Sequence, residues 1–546
     1  MEMQNNTTVT NEPDNMVNPL PAFTPPPPKP LFELGKSDTV FVIAAIIGCI
    51  FTSLFGLFSG YALGYALSIL VMTVLFTVYL TRSGKGRIFP IICGILNLAL
   101  GAVFVCTSNG SVRFFAVILS FLLALVCFDG IANGSAKGNR KTIGIFYSAA
   151  SSLGNMGVGI KSIFSSKGNK RPIGKIFLGL TCALPVLLVV VPLLISSDDA
   201  FRGLMNSIFE NTFSSIVKVI FGLTLALFVI PYGLSVKADR VAKIKKSKFK
   251  GIDNVYIISF LSAIVVCYLL YLFSQLAYFF SAFKGFLPDG DITYSEYARK
   301  GFFEMCTIAV INLIIVFTTW LLAKKQKGKI CGGIKAMATF IAVFTLIIIA
   351  TAISKMVLYI KTYGMTALRI TTSAFMVFLA IVFVSIILKI FIRKINFVKT
   401  ALLAAGLIVV IIGTANVNAV CAKYNYEGYI AGTLKYTNAE DFYKLGDEGI
   451  PYLVKLARSG YNEVSEKAEE YLAEAYMFDY FEDLEDLDFF TSDDLKQQKK
   501  DNGFDSFSIP RSIAYDALYQ FIDENPGFCY TCIDYYEQNT GFFSGW

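Results

Sequence analysis

The sequence predicts an all-α protein, a polytopic membrane bundle of about eleven transmembrane helices followed by a small C-terminal helical extracytoplasmic domain. Of its 546 residues, 55% are hydrophobic and only 16% are charged, whereas a soluble protein carries about 25% charged residues. The apolar residues form runs of about 20, the length that crosses a hydrocarbon core of about 30 Å. The charged residues are distributed unevenly along the chain. Residues 1–416 carry a net charge of +23, and residues 417–546 carry a net charge of −15.

Three regions follow from this pattern. Residues 1–37 are polar and proline-rich, and we expect a disordered cytoplasmic tail that enters polyproline II at Pro25–Pro28. Residues 38–416 are expected to form the transmembrane helical domain, and residues 417–546 an acidic helical extracytoplasmic domain. The eleven predicted spans are 39–58, 61–80, 88–105, 112–128, 173–195, 216–234, 255–280, 302–323, 334–353, 372–392 and 398–414.

The basic residues of the connecting loops predict the orientation. Alternate loops hold 27 Lys and Arg on one side of the membrane and 8 on the other. Cytoplasmic loops are enriched in these residues, so the N-terminus is expected in the cytoplasm. An odd number of spans then places residues 417–546 outside the cell.

The acidic C-terminal region has helical periodicity. Apolar residues at spacings of three and four predict short helices over Asn438–Leu445, Asp447–Arg458 and Asn462–Met477. Cys529 and Cys532 form a C-x-x-C pair, for which a redox pair and an unremarkable pair of thiols are both left open.

Composition excludes several function classes. The chain has no histidine, which removes histidine-ligated haem and iron, HExxH zinc proteases and Ser-His-Asp triads. One isolated C-x-x-C leaves too few soft ligands for a transition metal, so no metal or cofactor is expected. The basic residues are explained by the positive-inside rule, and no nucleic-acid partner is expected.

Charged residues of the predicted outer loops form a candidate rim cluster. Acidic side chains lie in and after segment 196–214 and at the start of the eighth span, and basic side chains lie in segment 353–371. We predict that Arg369 or Lys361 pairs with one of these acids, either to clamp the eighth and tenth spans together or to line an outward-facing site. The cluster comprises Asp198, Asp199, Glu296, Arg299, Glu304, Lys361 and Arg369.

A second candidate lies inside the seventh span. Tyr271, Gln275 and Tyr278 share one helical face. They are expected to make hydrogen bonds between helices, and the alternative is that they line a polar path.

Several phrases resemble a known family. These are Ser196–Phe201, Tyr294–Glu304, Leu358–Arg369, Asn416–Asn425 and Asp441–Leu453. Their order, over roughly residues 170–455, resembles the bacterial membrane protein family called domain of unknown function 4173, related to 4153. The resemblance implies a bacterial cell-envelope protein and implies no activity. Where that family has Asn-Pro-Asp, this chain has Asn416-Val417-Asn418, so a turn made by that proline is not expected here.

The expected function is non-enzymatic. The spans would anchor or sense within the lipid bilayer, and residues 417–546 would bind an envelope protein or wall polymer. One alternative is a transporter or flippase of a small or lipid-linked substrate, which a polar cavity between the seventh, eighth and tenth spans would favour. The other is an outer-face lipid-linked transferase, which a groove leading to Asp198 and Asp199 would favour.

Overall fold

The computed structural model describes residues 36–57, 62–81, 88–133, 190, 212–237, 251–282, 294–324, 330–392, 395–434, 438–460, 463–476, 495, 507–528 and 531–532. Within these ranges the chain is helical and no β-strand is present. One isolated bridge joins Ile252 to Ala323, where the start of one helix meets the end of another. The predicted all-α class is confirmed.

The first half of the bundle contains five helices among the described residues. Their apolar residues form one buried core that includes Phe41, Phe76 and Leu123. The helices are α1 Lys36–Phe51 with a π-helical end Thr52–Leu57, α2 Ala62–Thr81, α3 Ile88–Cys106, α4 Gly110–Asn133 and α5 Thr212–Lys237.

The second half contains four long helices and a bridging helix. The bridging helix α10 packs against α3 and α4 of the first half and against α9 of the second, which joins the two halves. The helices are α6 Asn254–Ala282, α7 Tyr294–Leu322, α8 Gly332–Tyr363, α9 Ala367–Phe391 and α10 Phe397–Thr414.

Within the described ranges, ten helices are long and apolar enough to cross a membrane, and they correspond to ten of the eleven predicted spans. The remaining prediction, 173–195, lies outside the described residues apart from residue 190. The helix α8, which contains the predicted span 334–353, runs past residue 353 to Tyr363. A helix of 32 residues is about 48 Å long, so α8 extends well beyond the hydrocarbon core.

The two ends of the bundle are distinct. Lys237 at the end of α5 pairs with Asp38 at the start of α1, and Ser53 bonds the carbonyl of Lys218, so α1 and α5 are antiparallel. Tyr79 at the end of α2 also bonds Asp38 (2.8 Å). The start of α1 therefore lies at one end, and the α3–α4 and α8–α9 loops lie at the other.

The C-terminal helices pack on that second end. Asn416, in the left-handed conformation with φ of 52°, caps and redirects the chain from α10 into α11. The predicted helix 447–458 is divided at Gly449 into a 3₁₀ turn, Gly446–Glu448, and the helix α13. The position requires glycine, because a Cβ at Gly449 would clash with the carbonyl of Phe442. The remaining helices are α11 Val417–Ile430, α12 Ala439–Tyr443, α13 Ile450–Ala457, α14 Glu463–Ala475 and α15 Ile509–Glu524. Of these, α11 and α15 were not predicted.

Candidate functional site at the junction of the bundle and the C-terminal helices

The loop Thr107–Asn109 joins α3 to α4, and with the adjoining helix ends we call it the first hairpin. Arg113, in the first turn of α4, donates from Nε to the carbonyl of Thr107 (2.7 Å) and from Nη2 to that of Phe104 (3.0 Å). The last carbonyls of a helix lack partners within the helix, and a cation there also offsets the helix dipole. Arg113 therefore fastens the end of α3 to the start of α4.

The loop Gly364–Thr366 joins α8 to α9, and we call it the second hairpin. Arg369, in the first turn of α9, donates from Nη1 to the carbonyls of Tyr363 (3.0 Å) and Gly364 (2.5 Å). Its guanidinium also lies over the ring of Tyr359, 4.2 Å from the centroid, which is a cation–π contact. The two hairpins thus use an arginine in the same way.

A carboxylate from the C-terminal helices binds the first hairpin. Glu448 is only 4% exposed. Its Oε1 accepts hydrogen bonds from Ser108 N (2.8 Å) and Thr107 Oγ1 (3.1 Å), and its Oε2 accepts from the hydroxyl of Ser108. A buried carboxylate is costly unless it is hydrogen-bonded, so Glu448 is stable there only while the hairpin supplies its donors. We call this set the carboxylate clasp.

Asparagine side chains extend the carboxylate clasp. Asn109 donates to Asn418 Oδ1 (2.8 Å), and Asn418 donates to the carbonyl of Leu445 (2.9 Å). Asn109 also accepts from the backbone of Val112 (3.0 Å), which caps α4. The loop, α11 and the 3₁₀ turn that carries Glu448 are therefore joined by one continuous set of hydrogen bonds.

A carboxamide binds the second hairpin. Asn425 of α11 accepts from Met365 N (2.7 Å) and donates to the carbonyl of Met365 (2.8 Å). Gly364 has φ of +80°, and a Cβ there would lie 2.7 Å from Asn425 Oδ1, so glycine is required on both grounds. We call this pair of bonds the amide clasp.

The charged groups around the two clasps contribute to the packing of the helices. Asp447, Glu448 and Arg511 all lie within electrostatic range of Arg113, so the buried end of the first hairpin contains both signs of charge. Beside the second hairpin, burial raises the pKa of the Cys421 thiol to about 12, an effect that the positive charge of Arg369 opposes. That thiol stays protonated at neutral pH and is a poor nucleophile. The arrangement holds helices together.

The acidic members of the predicted rim cluster are only partly described. Asp198 and Asp199 lie outside the described residues. Glu296 and Arg299 belong to the first turns of α7, but their side chains are outside the described set. Glu304 is exposed on α7.

The basic members are placed differently from the expected ion pairs. Lys361 is exposed in the last turn of α8, and Arg369 is half-buried. Among the described ion pairs neither contacts Glu304. The predicted pairing with Glu296, Asp198 or Asp199 stays a prediction, because those side chains lie outside the described residues. The guanidinium of Arg369 donates hydrogen bonds to the carbonyls of Tyr363 and Gly364 at the end of α8.

The candidate intramembrane face is also only partly described. Tyr271 is 39% exposed and contacts Phe344 edge-on at 5.9 Å. Gln275 and Tyr278 belong to α6, and their side chains lie outside the described set. Tyr268, three residues earlier on the same helix, makes a side-chain hydrogen bond to a neighbouring helix through Asn312.

Buried polar trios lie within each half of the bundle. Tyr268 donates to Asn312 Oδ1 (2.5 Å), and Asn312 donates to Thr345 Oγ1 (2.9 Å). In the first half, Ser120 donates to Asn97 Oδ1 (2.6 Å), and Asn97 donates to Thr73 Oγ1 (2.8 Å). Each trio connects three helices, as polar side chains do within membranes.

Metal binding finds no support in the part of the chain that the structure describes. There, no group of three or more Cys, Asp or Glu side chains is placed to hold an ion. Cys532 is buried, and its C-x-x-C partner Cys529 lies outside the described residues.

The clasp residues were missed by sequence reasoning. Neither Glu448 nor Asn425 was singled out as a candidate site residue. Arg113 was counted only as a loop cation. A usable signal was present, because the loops 107–109 and 364–366 are each followed within four residues by an arginine, but the C-terminal partners are distant in sequence.

Comparison with models of protein families matches residues 36–456 to the family described as "Domain of unknown function (DUF4153)". The match begins at residue 36, whereas the resemblance found in the sequence analysis began near residue 170. The matched family is 4153, which was named there as the relative of family 4173. Comparisons with curated proteins and with solved structures gave no match. The chain therefore belongs to the DUF4153 family and is an integral, multi-pass membrane protein.

Proposed function

We propose that this protein is a non-enzymatic component of a bacterial cell envelope that holds its C-terminal helices on the outer face of the membrane. There, these helices bind an envelope protein or a wall polymer, and the spans anchor them or sense their occupancy. The observation that carries the proposal is the pair of clasps, which fasten one small domain to both halves of the bundle through Glu448 and Asn425.

The clasps suit an anchor or sensor because they couple the domain to the spans. A flexible tether would allow a bound partner to move without moving the helices. Here each hairpin turn is bonded directly to a buried side chain of the C-terminal helices, so a load on that domain reaches α3, α4, α8 and α9. Coupling of this kind requires contiguous packed contacts between the two sites.

The arrangement of the ends supports the proposed orientation. The start of α1 and the C-terminal helices lie at opposite ends of the bundle, as an odd number of crossings requires. α4 ends and α5 begins at opposite ends as well, which is consistent with the predicted span 173–195. The loops at the C-terminal end, 107–109 and 364–366, contain no Lys or Arg, as expected of an outer face.

The transport alternative gains no support from the described interior. The predicted polar cavity between the seventh, eighth and tenth spans corresponds to α6, α7 and α9. Buried Asn312, Thr345 and Phe383 occupy this region. A cavity between α7, α9 and α10 has a volume of about 10 Å³, which is about the space of one water molecule.

Orientation is tested by reporter fusion. Alkaline phosphatase, which is active only outside the cytoplasm, is fused after residue 430, and the matched control is a fusion after residue 240. We expect activity from the first fusion and none from the second. Activity of a cytoplasmic reporter at residue 430 contradicts the proposal.

Partner binding is tested by photo-crosslinking in intact cells. A photoreactive amino acid replaces exposed Glu470 of α14 or exposed Gln520 of α15. We expect a discrete adduct with an envelope protein or wall polymer that disappears when Glu448→Ala and Asn425→Ala are combined. Identical adducts with and without the clasps contradict the coupling, and adducts with lipid alone contradict the partner.

A further inference from the structure

The exposed stripe of α15 changes character along the helix. Its first turns expose Ile509 (44%) and Ile513 (52%), and Phe507 just before the helix is 46% exposed. Further along the same stripe, Gln520 and Glu524 are exposed. Large apolar side chains gathered at one end of an exposed stripe mark an interaction surface.

The apolar end of α15 points toward the membrane bundle. α13 leaves the junction at Ile450, and its far end carries Arg458, which pairs with Glu524 at the end of α15 (2.6 Å). The two helices pack side by side, so the end of α15 lies far from the junction and its start lies near it. The position of Arg511 within electrostatic range of Arg113 agrees with this direction.

The apolar end of α15 is also next to a surface that faces lipid. α15 packs against α3, and the first turn of the neighbouring α4 exposes Phe114 (61%) and Phe115 (54%). Exposed phenylalanine side chains near the start of a span face the acyl chains of the lipid, close to the end of the hydrocarbon core. The exposed apolar side chains at the start of α4 and those at the start of α15 therefore lie at the same end of the bundle.

We infer that the start of α15 is a lipid-binding site, at which Phe507, Ile509 and Ile513 enter the headgroup–acyl boundary of the bilayer. The occupant is the phospholipid interface, because the stripe becomes polar in the direction that leads away from the membrane. An amphipathic helix buries its apolar side about 5–10 Å into this boundary. The inference deepens the proposed function, since lipid contact at α15 and the two clasps fix the C-terminal domain at three places.

The test places one tryptophan on the stripe. The chain has two tryptophans, Trp320 and Trp546, and both are first replaced by phenylalanine. Ile513→Trp is then compared with Gln520→Trp, which lies seven residues, or about 10 Å, further along the same side of the helix. The full-length proteins are placed in nanodiscs of phosphatidylcholine, either unmodified or brominated near the headgroup end of the acyl chains.

We expect brominated lipid to quench the tryptophan of Ile513→Trp roughly twofold and to leave that of Gln520→Trp nearly unchanged, given the insertion depth of such helices. Equal and weak quenching of both variants overturns the inference. Blue-shifted emission from Ile513→Trp without quenching by bromine also overturns it and assigns the surface to a second protein chain.

The result is independent of the proposed orientation. Both leaflets of a nanodisc contain brominated lipid, so the test gives the same outcome on either side of a membrane. Adding Glu448→Ala and Asn425→Ala to Ile513→Trp is expected to reduce the quenching, because the C-terminal domain then leaves the bundle. Persistent quenching in that variant shows that α15 binds lipid without the clasps and removes the link to the proposed function.

Discussion

The first and second hairpins are built alike but are held by different chemistry. Each consists of two membrane helices, a three-residue loop and an arginine that donates to helix-end carbonyls. The first is bound by the carboxyl group of Glu448, mainly through hydroxyl groups of the loop. The second is bound by the neutral side chain of Asn425 through backbone groups alone.

The difference shows that the hydrogen-bonding groups that a loop presents determine which side chain can bind it. The first hairpin presents only donors to the C-terminal helices, so an acceptor with two oxygens satisfies them. The second presents one donor and one acceptor, both from Met365, so a carboxamide is complementary and a carboxylate is not. Thr107 and Ser108 are therefore expected to be sensitive to substitution, whereas the side chain of Met365 is not part of its clasp.

The largest expected effect is at the carboxylate clasp. Glu448→Ala leaves the Ser108 N–H and two hydroxyls without their acceptor, and hydrogen bonds to a charged group contribute about 1.5–3 kcal/mol each. We expect the free energy of unfolding in detergent to fall by about 3 kcal/mol, with earlier proteolytic release of the C-terminal helices. Glu463→Ala is the control, because its ion pair with Lys467 is exposed and contributes under about 1 kcal/mol.

Exchanging the chemistry of the amide clasp is expected to have the next largest effect. Asn425→Asp places an ionised carboxylate against the carbonyl of Met365, and we expect a loss of about 2 kcal/mol at neutral pH from the broken bond and the repulsion. The introduced carboxyl has its pKa raised in the folded protein, so stability is lost as pH rises through that value. Unfolding measured from about pH 4 to 7, around the usual aspartate pKa, should show this loss. A pH-independent difference from the parent contradicts the amide clasp.

A smaller effect is expected from the arginine of the second hairpin. Arg369→Ala removes two bonds to helix-end carbonyls and a cation–π contact, and we expect a cost of about 1.5 kcal/mol. Adding Glu304→Gln should change nothing further, because the two side chains form no ion pair. Recovery of stability in the double variant would indicate that Arg369 and Glu304 form an ion pair and would contradict this account.

The smallest expected effect is at Glu469, which lies in neither clasp. Burial, and then the charge of Glu466, raises the pKa of Glu469, so its contribution to stability is present below its unfolded pKa and is lost as pH rises through the folded pKa. Glu469→Gln should therefore stabilise by a few tenths of a kcal/mol at neutral pH, since solvent screens the interaction. Thermal unfolding at neutral and acidic pH should show this gain only at neutral pH.

The helices of the bundle were predictable because a membrane imposes a simple pattern. A span needs about 20 apolar residues, and ten runs of this kind are helices in the structure. The end of α8 was misplaced because Lys355 and Lys361 resemble loop residues, whereas a helix can continue past the bilayer until a residue such as Gly364 ends it.

The clasps were not predictable for a different reason. Glu448 lies 340 positions from Ser108, and no periodicity links them. Arg369 was expected to seek a carboxylate because opposite charges attract strongly near lipid. Charge pairing competes with the unsatisfied carbonyls of a helix end, and the guanidinium of Arg369 donates to the carbonyls of Tyr363 and Gly364.

The central claim is tested most directly by a double-mutant cycle between Glu448→Gln and Ser108→Ala, measured as the free energy of unfolding in detergent. If the C-terminal helices are fastened to the first hairpin as described, the two changes are coupled by about 1–3 kcal/mol. The same cycle between Glu448→Gln and Thr366→Ala, in the second hairpin, should give a coupling near zero. Additive effects of Glu448→Gln and Ser108→Ala would contradict the account.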